Sequence, residues 1–184
     1  PTAALLKATL INGAVPLTGK DNAGRDITPI PSNEQGWGRI QLDRSLLFQG
    51  AARKLYVDDH KQGFAAGSMD GLSYQVTGVD PAEPLKITLT WTDAPGTPDA
   101  APNAPKLDDA TSWNKAQLVN DLDLSVSDGA NTYLGNVFSK GVSMTGGAKD
   151  TRNNVEQVLV DKPGAGPWTV RIQPAHILQA GQDY

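Results

Sequence analysis

The chain has 184 residues, a formal net charge of -4, no cysteine, 13 prolines, 19 glycines and only 6% aromatic residues. That length suits one domain, or one domain with a remnant of another, and it can bury a core without disulfides. The charge excludes a broad basic surface for nucleic acid. No apolar run approaches the roughly 18 residues of a membrane helix, and Pro1, with no signal peptide behind it, reads as the start of an excised or processed piece.

Residues 1–15 carry the one helical pattern. Thr2 can cap it, 3–10 are good helix formers, Leu5, Leu6 and Leu10 share a face, and Gly13 with Pro16 supplies the stop. One short helix must bury its leucines on something else: the β part of this chain, another chain or a further domain. Residues 16–35 are rich in Gly, Pro, Asn and Asp and read as a surface excursion. Gly36-Trp37-Gly38 predicts a tight backbone crossing under a large ring, and 42–47 a short helical turn.

From residue 51 onward the texture changes to strands and turns. Strands are predicted at 53–57, 72–76, 85–91, 118–126, 132–134, 155–160 and 168–172. In 85–91 the inward set is Leu85, Ile87, Leu89 and Trp91; in 118–126 it is Leu122, Leu124 and Val126, with Asp121, Asp123 and Ser125 on a wet side. A proline-rich loop over 92–115 and a second loop over 135–152 separate strands, and loops of such length are commonly functional or mobile. Seven or eight strands with no intervening helix predict a mainly β, jelly-roll or Greek-key sandwich, preceded by one short helix and a loop-rich segment.

Three chemistries compete. The two histidines, His60 and His176, lie in no catalytic context, and Ser143 in Gly141-Val142-Ser143-Met144 echoes a protease nucleophile without the long helix such a serine heads. Asn120, Asp121 and Asp123 are poor strand formers. They need either hydrogen bonds to loop amides or a hard cation such as calcium, with Asp93, Asn136, Asp150, Asn153 and Asn154 as further oxygen donors. Carbohydrate binding is the third chemistry. Its platforms would be Trp37, Trp113, Tyr56, Tyr74 and Tyr133, led by Trp113, because Trp91 and Trp168 fall at inward positions.

Four stretches in order, Trp91-Thr92-Asp93-Ala94-Pro95-Gly96, Leu118-Val119-Asn120-Asp121-Leu122-Asp123-Leu124, Tyr133-Leu134-Gly135-Asn136 and Arg152-Asn153-Asn154-Val155-Glu156, resemble the C-terminal β-barrel domain of subtilisin-family serine proteases of the bacterial alkaline, KP-43-like group. Leu5-Leu6-Lys7-Ala8, Asn12-Gly13-Ala14 and Gln35-Gly36-Trp37-Gly38-Arg39-Ile40 resemble the end of the catalytic domain in the same group.

The resemblance implies a catalytic-domain remnant over 1–50 and a jelly-roll accessory domain over 51–184. It also implies an exported parent endopeptidase, and a calcium ion held among Asp121, Asp123, Asn136, Asp150 and Asn153. The stretches that would carry the catalytic Asp, His and Ser are absent, so this chain is expected to be no enzyme by itself. Its expected role is to stabilise or dock on the protease catalytic domain, and the alternative is a module that holds a polymer or glycan substrate. The 139–149 segment lacks the acidic residues of close relatives, and the chain stops at Tyr184 where the family continues into a final strand.

Overall fold

Two antiparallel sheets face each other in a computed structural model that describes residues 1–51, 53–95 and 118–184. In chain order the elements are α1 (Ala3–Gly13), α2 (Leu42–Ser45), β1 (Leu72–Val76), β2 (Leu85–Thr90), β3 (Asn120–Ser127), β4 (Thr132–Ser139), β5 (Val142–Thr145), β6 (Val155–Val160) and β7 (Trp168–Ile177). The larger sheet runs β1-β7-β3-β4-β5 and the smaller pairs β2 with β6. This is the mainly β sandwich that the strand pattern predicts.

Period-two side chains build the core. Leu122, Leu124 and Val126 of β3 meet Trp168, Val170 and Ile172 of β7 and, across the interface, Leu89, Trp91, Val158 and Val160. Trp91 and Trp168 are each 1% exposed. Burying such rings supplies much of the driving force of a small sandwich.

The predicted strand at 53–57 does not form: those residues pair with no strand, and Tyr56 and Val57 are among the most exposed apolar side chains. The predicted loop at 135–152 is largely structured. β4 continues to Ser139 and turns through Lys140 and Gly141, both at positive φ, into β5. Most of the 92–115 loop, with Trp113, lies outside the described residues.

The helix seats differently from its leucine pattern. Thr2 caps α1 as predicted, its Oγ1 accepting from the Leu5 N–H at 3.1 Å and donating to Asp59 at 2.6 Å. Yet α1 buries the small residues Ala4 and Gly13 and leaves Leu6 54% and Leu10 38% exposed.

Its support is the polar side of β2. The Thr90 hydroxyl donates to the Ala4 carbonyl at 2.6 Å, Thr88 to Asn12 Oδ1 at 2.9 Å, and the Lys86 ammonium to the Ala14 carbonyl at 2.9 Å. Burial holds the Lys86 ammonium below its usual range, with the nearby Arg44 adding to it. Gly13 is obligatory because a Cβ there would fall within 2.6 Å of the Ser45 backbone of α2. Gly38, at φ 101°, allows the antiparallel bridge between Val15 and Arg39, as the glycine-framed tryptophan predicts.

Candidate functional site

The side of β3 expected to be wet is buried. Asp121 and Asp123 are 2% and 3% exposed, no more than the apolar residues between them. The cause lies in β4. β3 pairs with β7 along its whole length but with β4 only over Ser125–Ser127, because β4 bends away at Gly135 and at Asn136, whose φ is 60°. The opening is filled from β6 by Glu156.

Glu156 sits in phase with Val158 and Val160 on the inner side of β6, and is 1% exposed. Its Oε2 accepts from the Leu124 N–H at 2.7 Å, satisfying a backbone donor that β4 has left without a partner. Three carboxylates are thereby drawn into the sandwich.

Each keeps one oxygen without a hydrogen-bond donor: Asp121 Oδ1, Asp123 Oδ1 and Glu156 Oε1. Burial pushes the Glu156 carboxyl up to about 8. The Leu124 N–H opposes that shift, and the charges of Asp123, Asp150 and Asp121 reinforce it. Burial, and then the Asp123 charge, raises Asp121 to about 6, while His176 opposite it on β7 acts the other way. Among the described residues one cation hydrogen-bonds the group: the Lys149 ammonium donates to Asp123 Oδ2 at 2.7 Å.

The other three predicted ligands lie beside this cluster but are committed to one another. Asp150 Oδ2 accepts from Asn136 Nδ2 at 2.6 Å and from Asn153 Nδ2 at 2.7 Å, and its Oδ1 from the backbone N–H groups of Arg152 and Asn153. Burial alone would raise the Asp150 carboxyl, and these hydrogen bonds outweigh it and hold the carboxyl below its ordinary value. Asn136 also donates to the Val155 carbonyl and accepts from the Gln157 N–H, stapling β4 to β6.

Asn120 is satisfied in the same manner. Its side chain donates to the Gln179 carbonyl and Gln182 Oε1 and accepts from the N–H groups of Leu178 and Gln179. Asp93 accepts from the N–H groups of Ala94, Val119 and Asn120. Of the two explanations open for the polar residues of β3, loop amides account for Asn120 and leave Asp121 and Asp123 in need of positive charge.

Calcium takes six to eight oxygens at about 2.3–2.6 Å. The three orphaned oxygens are what such an ion relieves, but the donors do not fit one as they stand. The Asp150 oxygens and the Asn136 oxygen already accept hydrogen bonds from neighbouring amides, Lys149 holds Asp123, and among the described residues no group of three or more His, Asp or Glu is arranged to hold a metal ion. Glu156 and Lys149 were not among the predicted site residues. The period of β6 carried a signal for Glu156, since it places a carboxylate at a core position. Lys149 carried none.

The other candidates serve packing. His60 stacks on Tyr184 at 4.7 Å, and the Ser143 hydroxyl accepts from the Leu159 N–H at 2.9 Å, tying β5 to β6. Trp37 meets Phe138 edge-on, Tyr133 tilts against Trp168, and Tyr74 donates to Asp58 and shares a hydrogen bond with Tyr184. Tyr56 alone of the described platform residues stays open. No family model matches the chain, and no curated protein matches it.

Proposed function

We propose that the chain is a non-catalytic docking module of an exported, subtilisin-like serine endopeptidase, with residues 1–50 forming the face that meets the catalytic domain. The observation that supports this reading is the placement of apolar surface. Among the described residues, eight of the fourteen exposed large apolar side chains, Leu6, Leu10, Leu17, Ile40, Leu42, Leu46, Leu47 and Phe48, lie within the first 48 residues. Leu10 and Ile40 line a shallow cleft with Ile11, Ala14 and Trp37.

An exposed leucine side on a helix that already rests on a sheet has a second surface to cover. Among the described residues that would make a glycan platform, Trp37, Tyr74 and Tyr133 are instead engaged by neighbouring side chains. Burying the leucine side against the catalytic domain stabilises both parts by mass action.

The test supplies this chain in trans to a catalytic domain of that protease group truncated ahead of its last helix. Expected results are co-elution on gel filtration and a longer half-life of caseinolytic activity at elevated temperature, both lost in Leu6→Ser/Leu10→Ser, with no hydrolysis by the chain alone. Separate elution with an unchanged half-life would sink the reading. Retention on insoluble polysaccharide, insensitive to the two substitutions, would transfer the role to substrate binding.

A further inference from the structure

We propose that the Lys149 ammonium is a tethered counter-ion for the buried carboxylates of β3 and β6, taking in this chain the place that a free cation would otherwise fill. The inference concerns the interior of the sandwich and stands apart from whatever partner covers the first 50 residues.

Three carboxylates that are 1–3% exposed, each with an orphaned oxygen, form an arrangement that is costly unless positive charge is near. Among the described residues, the pairs Lys20–Asp26, Arg25–Asp21 and Lys61–Asp59 join more exposed acids, whereas Lys149 reaches the buried Asp123. The two ends of that pair differ sharply: the Asp123 side chain is 4% exposed and the Lys149 side chain 53%. A half-exposed lysine side chain thus delivers its charge to a buried acid.

The backbone that carries Lys149 is fixed on both sides. Gly147 turns at φ 81° so close to Val137 that a Cβ would lie 2.8 Å from its methyl group. Asp150 is pinned by Asn136 and Asn153. Between these two anchors the ammonium has a set reach, and the reach ends on the acid cluster. A pre-positioned ammonium makes its charge-assisted hydrogen bond without the entropy loss of capturing an ion.

This accounts for why the calcium donor set does not converge. Of the oxygens that would complete a coordination sphere, those of Asp150 hold the lysine's segment down and that of Asn136 accepts from the Gln157 N–H. A divalent ion bound beside Lys149 would meet a fixed positive charge within a few ångströms.

The experiment is thermal unfolding of the 184-residue chain, Lys149→Met and Lys149→Met/Asp123→Asn in choline chloride, with calcium chloride or ammonium chloride exchanged in at constant ionic strength. Wild type is expected to melt at one temperature in all three salts. Lys149→Met should melt lower by on the order of 5 °C in choline and recover with ammonium or calcium in a saturable manner. The double variant, which has one buried charge fewer, should regain most of the loss in choline and respond to neither ion.

Three results would overturn the proposal. They are a Lys149→Met protein that melts like wild type in choline, a loss that neither ion nor the second substitution repairs, and a wild type that calcium stabilises by several degrees with Lys149 in place.

Discussion

Gly135 lies against Glu156: a Cβ on Gly135 would come within 2.8 Å of both Cβ and Cδ of the glutamate and would overlap its Oε2. The relation joins two events in the fold, the bend of β4 away from β3 and the entry of a carboxylate into the gap. Gly135 is not among the glycines at positive φ, so its requirement is space and not backbone freedom. Gly135→Ala is therefore expected to destabilise by about 2 kcal/mol, the usual scale for overpacking, and to pull Glu156 off the Leu124 N–H. In a denaturant double-mutant cycle, Gly135→Ala should cost clearly less on a Glu156→Ala background. Simple additivity would mean that the two residues are not coupled.

The carboxyls of the cluster give stability an unusual pH dependence. Glu156 titrates near 8 in the fold against 4.5 in the open chain, and Asp121 near 6 against 3.8. Between those limits the folded protein binds more protons than the unfolded one, so stability falls as pH rises. The contribution is fully present below the unfolded values and lost by about pH 8. Asp150 acts in the opposite sense, since its lowered carboxyl loses its contribution as pH falls. Melting temperature should then peak near weakly acidic pH, about 5, and decline by several degrees toward pH 8. Glu156→Gln should flatten the upper part of that decline and melt above wild type at pH 8, its amide donating toward an orphaned carboxylate. A melting curve that rises from pH 5 to 8 would place the protons elsewhere.

The register of α1 on β2 rests on buried hydroxyls. Thr90 is 2% exposed and its hydroxyl donates to the Ala4 carbonyl. Thr90→Val keeps the volume, removes the donor and is expected to cost about 1–2 kcal/mol. The loss should be local first: amides of residues 3–8 should exchange faster by hydrogen exchange while those of β3 and β7 keep their protection. Uniform loss of protection would show that helix and sandwich unfold as one unit.

Much of this architecture was legible from period-two patterns. The alternating strands at 72–76, 85–91, 118–126, 155–160 and 168–172 all form, within a residue or two for most of their ends, because their inward sets are apolar and their partners are close. β7 runs five residues further because its extension carries Pro174 and His176, which break the apolar alternation while still pairing with Asp121 and Leu122. β5 and the second half of β4 were hidden because Gly135, Asn136 and the glycines at 141, 146 and 147 read as loop, whereas here they supply the bend and the turns around two short paired strands. The 53–57 segment failed for the opposite reason: Leu55, Tyr56 and Val57 form an apolar run with no neighbour to pair with.

At the site, alternation placed Asp121 and Asp123 on one side but carried no information about what covers that side. That is decided by Lys149 and by β6, which lie 26 residues and more along the chain. The helix misled in a similar way. Its leucines mark a surface that needs covering, but the contact with β2 is made by alanine, asparagine and threonine, where hydrogen bonds outweigh apolar area.

Asn136 offers the sharpest separation of backbone from hydrogen-bond effects. Its φ of 60° is a conformation that asparagine and aspartate both tolerate, so Asn136→Asp leaves the bend of β4 undisturbed. It replaces an amide that donates to Asp150 Oδ2 at 2.6 Å and to the Val155 carbonyl at 2.8 Å with an acceptor facing both. The expected cost at pH 7 is about 3 kcal/mol or more, two lost donors together with a like-charge contact. Protonation of either carboxyl relieves the contact, so the deficit should shrink as pH falls toward 4. Adding Asp150→Asn reverses the polarity of the pair, returns a donor to the contact, and should recover part of the loss at neutral pH. If Asn136→Asp melts within a degree of wild type at pH 7, the Asn136–Asp150 staple does not hold β4 on β6, and the fixed backbone assigned to Lys149 goes with it.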